Sequence, residues 1–214
     1  MKNRLKGNTK TGPGKGIGTE FVVMKVLAET RNRIIILMIV ACQLAGTSCS
    51  KKLYPEQQFQ NIGNSAERKR LDAFLNSGTE KELNTKNVRA DEIIRTAEQY
   101  LGVPHCMGGT TMKCMDCSGL LLTVFAGHGI ALPHNSEEQA RFGRIISRVD
   151  DLRKGDLVFF TRTYETSHFI THSGICAGNN KFIHASSKNG VIVTSINDPW
   201  WSLRFVFGTR VLRQ

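Results

Sequence analysis

At 214 residues, with 40% hydrophobic and 22% charged side chains, the chain can bury one well-packed domain plus extra segments, and two full domains would be cramped. The formal net charge of +11 would suit a nucleic-acid binder if it were spread evenly, but residues 1–49 hold eight basic residues against Glu20 and Glu29, six of the eleven excess charges. The remainder has no Lys/Arg block with interleaved aromatics, so no nucleic-acid partner is expected.

The leader has its own logic. Arg31-Asn32-Arg33 precedes the apolar run Ile34 to Ala41, which is too short to span a bilayer comfortably and reads as an export signal. Small residues Ala45-Gly46-Thr47-Ser48 then precede Cys49, and Ser50-Lys51-Lys52 come after it. This resembles a bacterial lipoprotein signal, in which the cysteine is lipidated and becomes the mature N-terminus. Ile39-Val40-Ala41 before Cys42 fits the small-residue pattern better, whereas Cys49 leaves a longer apolar region and a hydrophilic start behind it. Cys49 is taken as the lipidated residue and Cys42 as the alternative, with a single uncleaved anchor helix as the plainer reading. Met24 is an alternative start.

Residues 50–88 read as a polar tether carrying one helix, from Ala66 to Leu75, whose Leu71, Phe74 and Leu75 dock on the domain C-terminal to it. A single folded domain is then expected over residues 89–214. Ile93, Ile94, Ala97 and Leu101 fall at helical spacing, and Gly102 with Pro104 supplies a stop. A Gly-containing loop over 103–116 leads to a short buried helix with Leu120, Leu121, Val124 and Phe125, ended by Gly127. Ser136-Glu137-Glu138-Gln139 matches a capping box that opens a third helix, closed by Gly143.

The period then changes. Leu157 to Phe160, Ser173 to Ala177, Lys181 to Ala185, Val191 to Thr194 and Phe205 to Leu212 are short β-rich runs, with Asn179-Asn180 and Asn189-Gly190 as hairpin turns. Helices first and antiparallel strands second make an α+β domain, with N-terminal helices packed on a C-terminal antiparallel sheet.

Cys117 sits where the loop meets the second helix. Unpaired backbone N–H groups there, at the positive end of the peptide dipoles, favour a thiolate over a thiol. A cysteine hydrolase also needs a base to take and return the proton, and a third group to hold that base. His172 opens one strand and His184 lies in the next across the Asn179-Asn180 turn, so the two imidazoles can meet on adjacent strands. His168 is the nearby rival to His172. His128, His134 and His168 read as ordinary surface or core histidines, and Cys176 as a plain core residue.

Asp116-Cys117-Ser118-Gly119-Leu120, Lys154-Gly155-Asp156-Leu157-Val158-Phe159-Phe160, Thr171-His172-Ser173-Gly174-Ile175 and Lys181-Phe182-Ile183-His184-Ala185-Ser186 together resemble, in order, the successive signatures of the NlpC/P60 family, papain-like cysteine peptidases of bacterial cell walls. The resemblance covers about residues 90 to 213. It implies an endopeptidase that cuts peptidoglycan stem peptides at the γ-D-glutamyl–diamino acid bond, with Cys117 as nucleophile, His172 as general base and acid, and His184 as the orienting third residue. It further implies that Asp116 and Ser118 help bind the free amino end of the peptide, and that backbone N–H groups near Cys117 form an oxyanion hole. His105 stands where relatives usually carry Tyr, and can donate a hydrogen bond of different shape. Ser136 keeps the serine of a Pro-Arg-x-Ser pattern that here reads Pro133-His134-Asn135-Ser136, without the Arg.

No cofactor and no metal are expected, and the chain is read as a monomer in the cell envelope, lipid-anchored and more in keeping with the outer membrane than the inner. Two other classes stay open. Cys114-Met115-Asp116-Cys117 spells C-x-x-C, a redox or zinc reading using Cys114 and Cys117; a wall-binding lipoprotein with little or no catalysis is the other. Cys106 and Cys114, flanking Gly108-Gly109, are equally open to a disulfide or two free thiols.

Overall fold

A computed structural model of the chain describes residue 59 and residues 61–213. The leader, with Cys42 and Cys49, lies outside the described residues. No helix among those described is long and apolar enough to cross a membrane.

Helix α1 (Ser65–Asn76) starts where the Asn64 side chain accepts the Glu67 N–H at 2.8 Å, and it buries Leu71 and Phe74. Phe59, Ile62, Leu71 and Phe74 share one apolar core with the residues beyond 89, which is how the helix of the expected tether docks. Helix α2 (Ala90–Glu98) turns Ile93, Ile94 and Ala97 inward. It stops short of Leu101, which the apolar spacing places on the inward face and which is 44% exposed. The reason is a competing bond: the Gly102 N–H donates to Val191 O at 2.8 Å, which ties the chain to a strand edge.

A two-residue hairpin, β1 (Thr110–Thr111) with β2 (Cys114–Met115), precedes helix α3 (Cys117–Ala126), whose Leu120, Leu121, Val124 and Phe125 are fully buried. The expected third helix shrinks to four residues, α4 (Ser136–Gln139), and its cap is Asn135 rather than Ser136; the Asn135 side chain accepts the Glu138 N–H at 3.0 Å. Gly143, at φ 80°, then turns the chain into β3 (Arg144–Ile146), a short edge strand with no legible alternation. A 3₁₀ turn over Val149–Asp151 comes next.

The remaining strands are β4 (Leu157–Phe160), β5 (His172–Gly178), β6 (Lys181–Ser186), β7 (Gly190–Ser195) and β8 (Phe205–Arg210), with the four-residue helix α5 (Pro199–Ser202) before β8. They form one antiparallel sheet in the order β3-β8-β4-β5-β6-β7. Asn179 and Asn180 both have positive φ, 51° and 55°, as a two-residue hairpin turn between β5 and β6 requires. On β4, Leu157 and Phe159 join the main core, while Val158 and Phe160 join a smaller cluster with Cys176, Phe182 and Phe205. A strand covered on both faces reads as a continuous apolar run, which is what Leu157 to Phe160 is.

Asp156, 2% exposed, locks the middle of this sheet. Its carboxylate takes Nε and Nη2 of Arg210 at 2.9 and 2.7 Å and the Arg153 N–H at 2.8 Å.

Candidate active site

Cys117 is the first residue of α3, and its neighbour Asp116 caps the helix, with Oδ1 accepting the Gly119 N–H at 2.6 Å. Helix geometry leaves the N–H groups of Cys117 and Ser118 without intrahelical acceptors, next to the thiol. The loop before the helix packs against it backbone to backbone. A Cβ on Gly119 would fall 2.0 Å from Gly109 O, so the approach requires glycine. Asp116 N–H donates to Gly109 O at 3.1 Å, and Gly108 N–H to Asp116 Oδ2 at 2.7 Å. Cys106 and Cys114 close this loop as a disulfide with Cα atoms 5.5 Å apart.

That bond answers the question left open by the sequence, and it removes Cys114 as a thiol partner for Cys117: the C-x-x-C spacing does not pair. Cys117 and Cys176 are the free cysteines among the described residues. Their environments set them apart. Burial raises the Cys117 pKa, but the charge of His172 and a hydrogen bond with it, then Ser136 and the Ser173 N–H, bring the thiol down to about 7. Burial pushes the Cys176 thiol up.

His172 opens β5. The β5–β6 register pairs Ile175 with Ile183, and continued by one position it sets Gly174 opposite His184, leaving His172 diagonal to His184 on the same face. Gly174 is needed there, since a Cβ would meet Phe182 Cδ2 at 2.6 Å and His184 Cβ at 3.3 Å. The two rings meet through His172 Nε2 and His184 Nδ1 at 2.9 Å, which leaves His172 Nδ1 for the thiol. His184 is fully buried, stacked on Phe182 at 4.4 Å between centroids and flanked by Trp201 at 4.6 Å. Burial first, and the charge of His172 second, hold its pKa down at about 2, so it is neutral.

A neutral imidazole has one N–H. His184 Nε2 lies 2.9 Å from Thr194 Oγ1. When Nε2–H donates to Thr194, Nδ1 becomes the acceptor for a proton on His172 Nε2. Sequence reasoning missed Thr194, and also Trp201, whose ring lies 5.0 Å from that of His172. No local signal marks Thr194, which reaches His184 through the β6–β7 register that sets Ile192, two residues before it, opposite His184.

Ser136 Oγ lies 3.5 Å from Cys117 Sγ and 3.0 Å from Ser173 Oγ, so its hydroxyl serves the site rather than capping α4. Ser118 is buried and donates to Asp116 Oδ1 at 3.0 Å. His134, read as an ordinary histidine, has Nε2 3.1 Å from the same oxygen. Burial raises the Asp116 pKa, but the Gly119, His134, Gly108 and Ser118 contacts outweigh it and lower the pKa overall. His105 is half-buried, immediately before the disulfide loop, and bridges to Met115. His168 faces Glu137 at 3.5 Å, and His128 bonds Thr96 at 2.8 Å. Among the described residues no group of three or more His, Cys, Asp or Glu is gathered to hold a metal.

Helices packed on an antiparallel sheet, with a cysteine at a helix start and paired strand imidazoles, define the papain-like class of cysteine hydrolases. The NlpC/P60 family model matches residues 102–210. The chain is 36% identical over 180 residues to the murein DD-endopeptidase MepS/murein LD-carboxypeptidase of Escherichia coli K12, covering 82% of this chain and 87% of that one. It is 31% identical over 124 residues to a γ-D-glutamyl-L-lysine dipeptidyl-peptidase of Bacillus cereus, 58% of this chain and 37% of the other. The crystal structure of an NlpC/P60 family protein from Bacillus cereus superposes with a TM-score of 0.55 at 29% identity, covering 61% of this chain and 42% of that longer one. The chain belongs to the NlpC/P60 family, and its type is that of a cysteine hydrolase.

Proposed function

We propose that the chain is a peptidoglycan endopeptidase that cleaves stem peptides through Cys117, His172 and His184. The observation that carries this is the thiol brought down to about 7 beside His172, which is itself bonded to a neutral, buried His184. Cys117 thiolate attacks the scissile carbonyl carbon. The oxyanion that forms accepts hydrogen bonds from N–H groups at the start of α3. His172 passes its proton to the leaving amine as the C–N bond breaks, leaving a thioester on Cys117. His172 then deprotonates a water that attacks the thioester, and the acid product leaves as the thiol recovers the proton. His184 acts as the orienting residue, its tautomer set by Thr194.

Two bonds are candidates. The γ-D-glutamyl–diamino acid bond, expected from the sequence, calls for Asp116 and Ser118 to receive a free amino end, with His105 and Ser136 lining the approach. Yet Asp116 already accepts four hydrogen bonds, three of them on Oδ1, and Ser118 is turned to it. A bond between two D-configured residues needs no such amine capture, and the relative matched over most of its length is named for DD-endopeptidase activity. Digestion of whole peptidoglycan followed by mass analysis of the products separates the two. Loss of cross-linked dimers supports the DD bond, release of L-Ala-D-Glu supports the γ bond, and an unchanged digest rejects both.

In the same reading the enzyme is exported, and its Cys49 lipid holds it at a membrane of the envelope. Globomycin treatment of expressing cells followed by mass analysis of the N-terminus tests this; an unlipidated mature end rejects it.

A further inference from the structure

The loop between β4 and β5 is strapped down from both sides. On the site side, Glu137 Oε2 accepts the Phe169 and Ile170 N–H groups, the second at 3.1 Å. Glu137 is next in the chain to Ser136, which touches the Cys117 sulfur. Thr163 donates through N–H and Oγ1 to Thr171, at 3.0 Å to its hydroxyl and 3.2 Å to its carbonyl, and Thr171 immediately precedes His172.

On the far side, α1 holds the same loop. Arg70 Nη2 donates to Ser167 O at 3.1 Å and His168 O at 2.7 Å. Glu67 pairs with Arg162 at 2.7 Å, Arg162 in turn donates to Leu203 O, and Phe74 packs on Phe169 with centroids 6.1 Å apart. A cleft of about 350 Å³ between α1 and the loop is lined by Arg70, Arg162, Tyr164 and His168. Tyr164, 51% exposed, adjoins the Thr163 anchor. Burial, then the negative charges of Cys117, Asp116 and Glu137, raise its phenol pKa, so its hydroxyl stays protonated and lies in the field of the site.

Resting on the proposed peptidase reading, we propose that α1 belongs to the substrate-binding apparatus: Arg70 is a positioning residue that holds the strap 162–171 as a wall of the peptide groove, and Tyr164 is the strap's substrate-contacting side chain. The family match begins at residue 102, so α1 lies outside it. A protonated phenol at a groove edge donates a hydrogen bond to a peptide carbonyl or carboxylate, and a wall that is held in place lowers the ordering cost of binding.

The test compares the full chain with Arg70→Ala, Glu67→Ala/Arg70→Ala, Arg70→Lys, Tyr164→Phe and Tyr164→Ala on a soluble stem peptide. Arg70→Ala and Tyr164→Phe should raise KM by about three- to tenfold, with kcat within about twofold. Arg70→Lys should recover most of the loss, because a single nitrogen, Nη2, makes both of the Arg70 bonds. Iodoacetamide alkylation of Cys117 should keep its wild-type pH profile in every variant, since the thiolate is set elsewhere. Amide exchange at Phe169 and Ile170 should accelerate in the Glu67→Ala/Arg70→Ala chain. Unchanged KM in an active enzyme overturns the inference while leaving the peptidase reading intact. A wild-type chain that cleaves no peptide rejects the peptidase reading, and unchanged exchange at Phe169 and Ile170 then rejects the strap by itself.

Discussion

His172 Nε2 and His184 Nδ1 lie 2.9 Å apart, on a pair of strands whose outer partner, β7, contributes Thr194 2.9 Å from the far nitrogen of His184. The chain of contacts runs Cys117, His172, His184, Thr194, each side chain bonded to the next. A histidine in the orienting position carries no charge at neutral pH when its pKa is about 2, so it holds His172 through tautomer choice rather than ion pairing.

Thr194→Val is therefore the sharpest probe of that choice. It keeps the shape and removes the acceptor for His184 Nε2–H, leaving a buried donor unpaired at a cost of roughly 1–3 kcal/mol. Turnover should fall on the order of tenfold, the rate equivalent of about 1.4 kcal/mol, while Thr194→Ser retains most of it. Equal kcat in the valine and wild-type chains contradicts the tautomer role.

Alkylation of Cys117 reports the thiolate directly. The rate constant should rise with pH through a midpoint near 7, since the thiol is lowered from 9.0 and ionises as pH increases. In His172→Ala the lost charge and hydrogen bond move that midpoint upward, and alkylation at pH 7 slows. Peptide mapping should find Cys176 unlabelled in the native protein, because it is buried and its thiol is pushed up.

Cys106→Ser/Cys114→Ser removes a bridge between residues eight apart, with a chain-entropy cost of about 2.5 kcal/mol. Thermal unfolding should shift down accordingly. Stem-peptide hydrolysis should persist at reduced kcat/KM, because Gly108 and Gly109 lose part of the hold that fixes Asp116. Unchanged thermal stability and kcat/KM would contradict the role of the bridge in holding this loop.

Asp156→Ala leaves the largely buried Arg210 guanidinium without its carboxylate, with only the Asp151 O bond remaining, and should destabilise the domain by about 3 kcal/mol in denaturant unfolding. The Cys117 alkylation midpoint should not move in protein that remains folded.

Much of this architecture is legible in the sequence because it rests on local rules. Apolar spacing marks α2 and α3, Asn179-Asn180 fixes the hairpin that brings His172 and His184 together, and the helix start singles out Cys117. Elements that depend on distant partners are not legible. Nothing local shows that Gly102 bonds to Val191, that Ser136 turns from capping to the Cys117 sulfur, or that β3 finds β8. The same holds for Thr194 and Trp201, whose contacts with the histidines arise from strand register and from α5 folding back over the sheet. His134 is the instructive case, a histidine at the Arg position of the Pro-Arg-x-Ser pattern that reaches Asp116 across 18 residues.

In the proposed reading Cys117 is the nucleophile of a stem-peptide hydrolase. Its most direct test is side-by-side turnover of a purified cross-linked stem-peptide dimer by the full chain and by Cys117→Ala, with the products read by mass spectrometry. The wild-type chain should give cleavage products, two monomers if the DD bond is cut or released L-Ala-D-Glu if the γ bond is cut, and Cys117→Ala should give none; equal cleavage by both rejects Cys117 as the nucleophile.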